Sequence, residues 1–133
     1  MSKQEEHERQ LVSSFIVPAR QSRYLELLPN PKRRKDITRT FCHFKHLDMR
    51  YAEEVPSRHR LAPGLFEHLK SKGAPDLCYA LSESDELDGK ETSLADALEF
   101  IIGRGIGTFL SCVPGKLAYF EDEDNRWLLE RNR

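Results

Sequence analysis

The chain has 133 residues, 38% of them apolar and 32% charged, with a net charge of −1. That length suits one domain able to bury a real core, and the charge content exceeds the globular average without reaching a disordered profile. No apolar run approaches the roughly 18–20 residues of a bilayer span, which excludes a helical membrane anchor.

Leu11 to Val17 is interrupted by Ser13 and Ser14 and preceded by Glu5, Glu6 and Glu8, the reverse of a secretory leader. The cysteines, Cys42, Cys78 and Cys112, are odd in number and far apart. Such a set suits a reducing compartment better than a disulfide framework. The expectation is a single domain over residues 1–133, in the cytoplasm, with no membrane partner.

The near-zero net charge hides a polarity. Residues 1–60 hold thirteen Lys and Arg against eight Asp and Glu, a charge of +5. Residues 61–133 hold eight against fourteen, a charge of −6. Such asymmetry speaks to partners and steering, not to fold.

In chain order, Ser2 and Glu5 form a capping box that starts a helix running to about Ile16. A second, short helix over about 19–28 carries Tyr24, Leu25 and Leu28 at helical spacing. Asn30 and Pro31 then suit the N-cap and first position of a third helix. Ile37, Phe41 and Phe44 give it a narrow apolar stripe at about 100° per residue. Its other face would carry Lys35, Arg39, His43 and His46, with Lys32 and Arg50 in line. Residues 48–57 show no period and read as a connection. Leu61 to Lys72 reads as a helix with Pro63 in its first turn and Gly73 at its C-terminal end.

From Asp76 the period changes to two. Leu77, Tyr79 and Leu81 alternate with Cys78, Ala80 and Ser82 as in a strand, so Cys78 and, further on, Cys112 read as small buried hydrophobes. A polar turn, 84–89, leads to a short extended piece at 90–92. Ser93 caps a strongly amphipathic helix bearing Leu94, Ala97, Leu98, Ile101 and Ile102, which ends at Gly103. Strands over 106–113, 117–120 and 126–130 follow. The Pro114-Gly115 turn fits type II and predicts a bulge or longer loop, since type II is not the favoured hairpin turn. The expected fold is α+β: residues 1–73 mainly helical and basic, residues 76–131 a strand-rich, acidic β-β-α-β-β-β unit with an antiparallel sheet. The amphipathic helix covers one face of that sheet, and the front helices cover the remaining apolar surface.

The candidate binding surface is the run Lys32, Arg33, Arg34 and Lys35, continued by Arg39 and, secondarily, His43 and His46. A helix with one apolar and one basic face can dock on a scaffold while presenting charge to phosphates or to acidic side chains. The function this points to is non-enzymatic: an interaction or regulatory domain binding a polyanion, nucleic acid included, or an acidic protein partner. No cofactor or metal is implied. Cys42, His43 and His46 could share an ion only with distant help from Asp48, His59 or His68, and no paired Cys-x-x-Cys exists.

A competing reading is a small metal-dependent nuclease. Pro75-Asp76 with Asp88-Gly89-Lys90 satisfies the loose PD-(D/E)xK pattern, in which two acids hold a divalent metal and a lysine assists the attacking water. Against it, Asp88-Gly89 also reads as a hairpin turn. A third reading is a homo-oligomer joined through an open sheet edge or a Phe109/Phe120 surface.

Gly103, Gly105 and Gly107 follow a helix instead of preceding one, so they form a helix end and a turn, not a phosphate loop. Glu121 to Asp124 lack the spacing of a calcium loop and read as a solvated hairpin tip. Ser111-Cys112 and five histidines supply nucleophiles and bases, but nothing in the sequence places one beside the other.

Overall fold

A computed structural model of the chain describes residues 2–56, 59 and 61–131. The helices are α1 (Lys3–Phe15), α2 (Pro18–Leu27), α3 (Arg34–Thr38), α4 (Ala62–Ser71) and α5 (Leu94–Ile101). The strands are β1 (Ala52–Glu54), β2 (Leu77–Ser82), β3 (Lys90–Ser93), β4 (Thr108–Val113), β5 (Leu117–Glu121) and β6 (Arg126–Glu130). The fold is α+β, as the sequence pattern predicts. All strand pairs are antiparallel, in the order β1-β6-β5-β4-β2-β3. β4 to β6 form a meander, whereas α5 carries the chain from β3 across β2 to β4.

Alternation along the strands feeds two apolar layers, one on each face of the sheet. On one face α4 and α5 pack Leu65, Leu69, Leu94, Leu98 and Ile101 against Cys78, Ala80, Leu110, Cys112, Tyr119 and Leu128. On the other, α1, α2 and the chain after them pack Leu11, Phe15, Leu27, Ile37 and Phe41 against Leu81, Phe109, Ala118, Phe120 and Leu129. The front helices therefore do cover the sheet, with one exception: α4 lies with α5 on the opposite face. Phe109 and Phe120 are each 1% exposed, with rings 4.6 Å apart beneath the front helices. The Phe109/Phe120 surface proposed for oligomerisation is thus interior, because the front half of the same chain covers it.

Local signals explain most termini. The Ser2/Glu5 capping box is formed, Pro18 opens α2, and Ser93 accepts from the Asp96 amide to start α5. Gly115 has φ +73 in the turn after Pro114, and the β4–β5 register shifts between Ser111 and Val113, the bulge that such a turn demands.

Two departures matter. First, the third helix is short. α3 begins at Arg34, not after Asn30 at Pro31, and ends at Thr38; a 3₁₀ turn covers Phe41–His43, and Phe44 is extended at φ −74 and ψ 133. Ile37, Phe41 and Phe44 still reach the core, and the Phe41 ring stands 5.1 Å from Phe109 and 5.3 Å from Phe44. The chain then runs extended beside the end of α1, with the Val17 amide donating to the His46 carbonyl at 2.9 Å and the Asp48 amide to the Phe15 carbonyl at 2.8 Å. Second, part of the supposed connection at 48–57 is a strand. β1 pairs Ala52, Glu53 and Glu54 with Leu129, Leu128 and Trp127. Three residues are too few to show a period, so only the partner strand makes this segment extended.

Candidate functional site

The short α3 dismantles the single basic helix face. Lys35 and Arg39 stay on or beside α3, His43 sits in a 3₁₀ turn and His46 in the extended segment. The Tyr24 hydroxyl and His46 Nδ1 are hydrogen-bonded at 2.8 Å. Burial, with Arg20 nearby, holds the His46 pKa below its ordinary value. His43 Nε2 lies 3.6 Å from a Glu123 carboxylate oxygen, so the acidic hairpin tip meets the front half of the same chain.

Arg34 points inward and is not a surface cation. Its Nε and Nη2 donate to Asp88 at 2.7 and 3.1 Å. Nη1 and Nη2 donate to Glu8 at 3.0 and 2.6 Å, and Nη1 also reaches the Leu28 carbonyl at 3.1 Å. All five N–H donors of the guanidinium are therefore spent. Burial opposes the charge, but the hydrogen bonds to Asp88 and Glu8 outweigh it and raise the Arg34 pKa. The Tyr79 hydroxyl donates to Glu8, and burial followed by that carboxylate raises its pKa. Asp88 Oδ1 also accepts from the Ser82 amide at 2.9 Å. The cluster ties α1, α3, β2 and the β2–β3 turn together. Lys35 pairs with Asp85 of the same turn.

A different set of cations remains at the surface. Arg33 Nε donates to Asp36 at 2.6 Å and Arg39 Nη2 lies 3.6 Å from it. The Arg33 hydrogen bond lowers the Asp36 pKa first, with the Arg39 and Arg23 charges adding to it. Arg20 and Arg23 also bear on Tyr24, whose pKa burial pushes up to about 12. Arg20, Arg23, Arg33 and Arg39 are all exposed, as is Lys32. Arg23, Arg33 and Arg39 gather around Asp36 beside α2 and α3, with Arg20 near Tyr24 on α2. Arg20 and Arg23 were absent from the sequence-based set. Their i, i+3 spacing on a helix was legible, but that α2 would lie beside α3 was not.

The nuclease set is not brought together. Asp76 is ion-paired with Lys70 at 2.7 Å. It precedes β2, while Lys90 pairs in register with Ala80 further along that strand. Asp88 is committed to Arg34 and Ser82. Among the described residues, no group of three or more His, Cys, Asp and Glu side chains gathers as metal ligands.

The structure does place a base beside a hydroxyl, which the sequence could not. His7 Nδ1 and Ser111 Oγ are 2.7 Å apart, with His7 stacked on Tyr79 at 5.5 Å between centroids. Ser111 is only 2% exposed, so its hydroxyl is closed off beneath the imidazole. The pair satisfies a buried polar group and pins α1 to the sheet. At the other acidic turn, Glu121 is 1% exposed and accepts from the Tyr119 hydroxyl at 2.6 Å and the Gly103 amide at 3.1 Å. Asp122 accepts from the Asp124 and Asn125 amides at 3.0 and 2.8 Å. Asp122 closes the turn and Glu121 ties it to the end of α5, so these two acids are buried and not part of a solvated tip.

Compared with known proteins, no family model, no curated protein and no solved structure matches this chain.

Proposed function

We propose that the protein is a non-enzymatic interaction domain whose arginine surface on α2 and α3 binds an acidic segment of a partner protein. The observation that carries this reading is the convergence of Arg23, Arg33 and Arg39 on Asp36, with Arg20 beside them at Tyr24. Arginine forks match carboxylates in a bidentate geometry and are less strongly hydrated than ammonium groups. The three arginines come from α2 and from the two ends of α3, and the one carboxylate they share does not neutralise three guanidinium groups. Among the described residues, the exposed large apolar side chains are Leu25, Met49, Leu61 and Leu77. None is aromatic, so the platform on which single-stranded nucleic acids stack their bases is missing from that set.

The test is a fluorescence titration with a glutamate-rich peptide and, separately, with mixed-sequence DNA and RNA, at about 50 and 200 mM salt. The reading expects peptide binding that weakens with salt and falls at least roughly tenfold in the Arg23→Glu/Arg39→Glu protein, whose fold circular dichroism verifies. Tighter binding of DNA or RNA through the same arginines would make this a phosphate-binding surface instead. Unchanged peptide affinity in the double variant, or no binding of any probe at low salt, sinks the assignment.

A further inference from the structure

A cleft of about 430 Å³ lies between the first turns of α1, the end of α2 and the turn before β3, and Arg20, Arg23, Arg33 and Arg39 are not among its lining residues. That volume falls within the range of small-molecule sites, roughly 300–1,000 Å³. Leu25, Leu28, Pro29 and Pro31 form apolar walls. Of the polar lining groups Gln4, Glu5 and Arg9 are exposed, Glu8 and Tyr79 are buried and Arg34 is half-buried. Leu25 is 37% exposed, so apolar surface at the cleft is left to water.

Among the exposed lining groups the Arg9 charge lies near the Glu5 carboxylate; the hydrogen-bond inventory of the inner wall, Glu8, Tyr79 and Arg34, specifies what that wall can receive. The Arg34 guanidinium borders the cleft, but its five donors already serve Asp88, Glu8 and the Leu28 carbonyl. The Tyr79 hydroxyl proton is spent on Glu8. What remains unspent among these three groups is acceptor capacity. Glu8 Oε1 takes one bond, from Arg34 Nη1, whereas a carboxylate oxygen has two lone pairs. Two carboxylates against one guanidinium also leave the Glu8–Arg34–Asp88 cluster one negative charge in excess. A wall that accepts, carries a net negative charge and stands beside apolar sides fits a cationic donor on an apolar body.

We propose that this cleft is a binding site for a small primary alkylamine with an aromatic or aliphatic body, its ammonium on Glu8 and its apolar body between Leu25, Leu28 and the two prolines. An anion of the same shape finds no free donor in the Arg34 guanidinium and is repelled by the excess charge.

The experiment uses the whole chain and two probes of equal shape, tryptamine and indole-3-propionate, followed by amide chemical shifts. Tryptamine is expected to move the Leu28 and Gly89 amides saturably, with indole-3-propionate at least roughly tenfold weaker. Leu25→Lys, a change at a partly exposed position that places a like charge at the cleft, is expected to cost tryptamine a similar factor while leaving the rest of the spectrum in place. Equal or tighter binding of the carboxylate overturns the proposal. So does the absence of any shift at Leu28 and Gly89 with millimolar tryptamine, or undiminished affinity in the Leu25→Lys protein.

Discussion

Arg34 and Glu8 meet as a two-pronged ion pair, with Nη1 and Nη2 donating to Oε1 and Oε2 at 3.0 and 2.6 Å. The pair spans 26 residues of chain and, with Asp88 on the other flank of the guanidinium, joins the helical layer to the β2–β3 turn. Three charges held at the edge of the core are stable only together, because each depends on the others for the solvation it has lost.

Removing the middle charge should therefore cost more than an ordinary surface change. Arg34→Ala is expected to lower unfolding free energy by about 3 kcal/mol at neutral pH, since two poorly hydrated carboxylates lose their counter-charge. Adding Glu8→Gln and Asp88→Asn to Arg34→Met should recover part of that loss. Urea denaturation of the three proteins checks this; equal stability of Arg34→Ala and the parent would show that the cluster contributes nothing.

The His7–Ser111 contact predicts a pH dependence. Burial lowers the His7 pKa from 6.5, against opposing charges of Glu91 and Glu6 and in concert with Lys3. The folded chain thus prefers neutral imidazole, and the unfolded chain takes up its proton first as pH falls. Stability is full above about pH 6.5 and declines as pH drops from there through the folded value. His46, lowered by burial and Arg20, acts in the same direction. Urea midpoints at about pH 7.5 and 5.5 should differ in the parent and differ less in His7→Gln/His46→Gln. Asp48, whose pKa the Arg50 hydrogen bonds hold down from 3.8, has its effect only at more acid pH, where stability is lost as the carboxylate protonates.

Gly107 is required by space. A Cβ there would lie 2.2 Å from the Phe41 carbonyl carbon and 2.4 Å from its oxygen. Gly107→Ala must push the Phe41 turn off β4, at a cost of about 3 kcal/mol. Gly73, with φ +106 but open space around it, should lose only about 1 kcal/mol on the same change. Thermal unfolding of the two variants separates a steric cost from a backbone cost.

The thiols should divide one against two. Cys78 and Cys112 are 2% and 3% exposed, and burial pushes the Cys78 thiol up to about 12. Cys42 is partly exposed. A disulfide-exchange reagent is expected to label Cys42 in the folded protein and the other two only on unfolding. Rapid labelling of all three under native conditions would contradict the buried placement.

Local pattern sufficed wherever an element declared itself over several residues. The Ser2/Glu5 box, the 77–82 alternation and the α5 stripe each needed only neighbours in the chain, since helix and strand periods are properties of sequential side chains. The two buried cysteines and the bulge after Ser111 follow from the same level. What the tertiary structure alone decided was which distant groups meet. β1 is a strand because β6 lies beside it, and the expected third helix gives way after Thr38 to a path that brings His46 to Asp48 beside the end of α1. Arg34 stands in a contiguous run of four cations, yet it is the one turned inward, because Glu8 and Asp88 arrive from 26 and 54 residues away. Charge in a sequence has a sign but no partner; only packing assigns the partner, and with it the difference between a surface that binds and a bond that holds the fold.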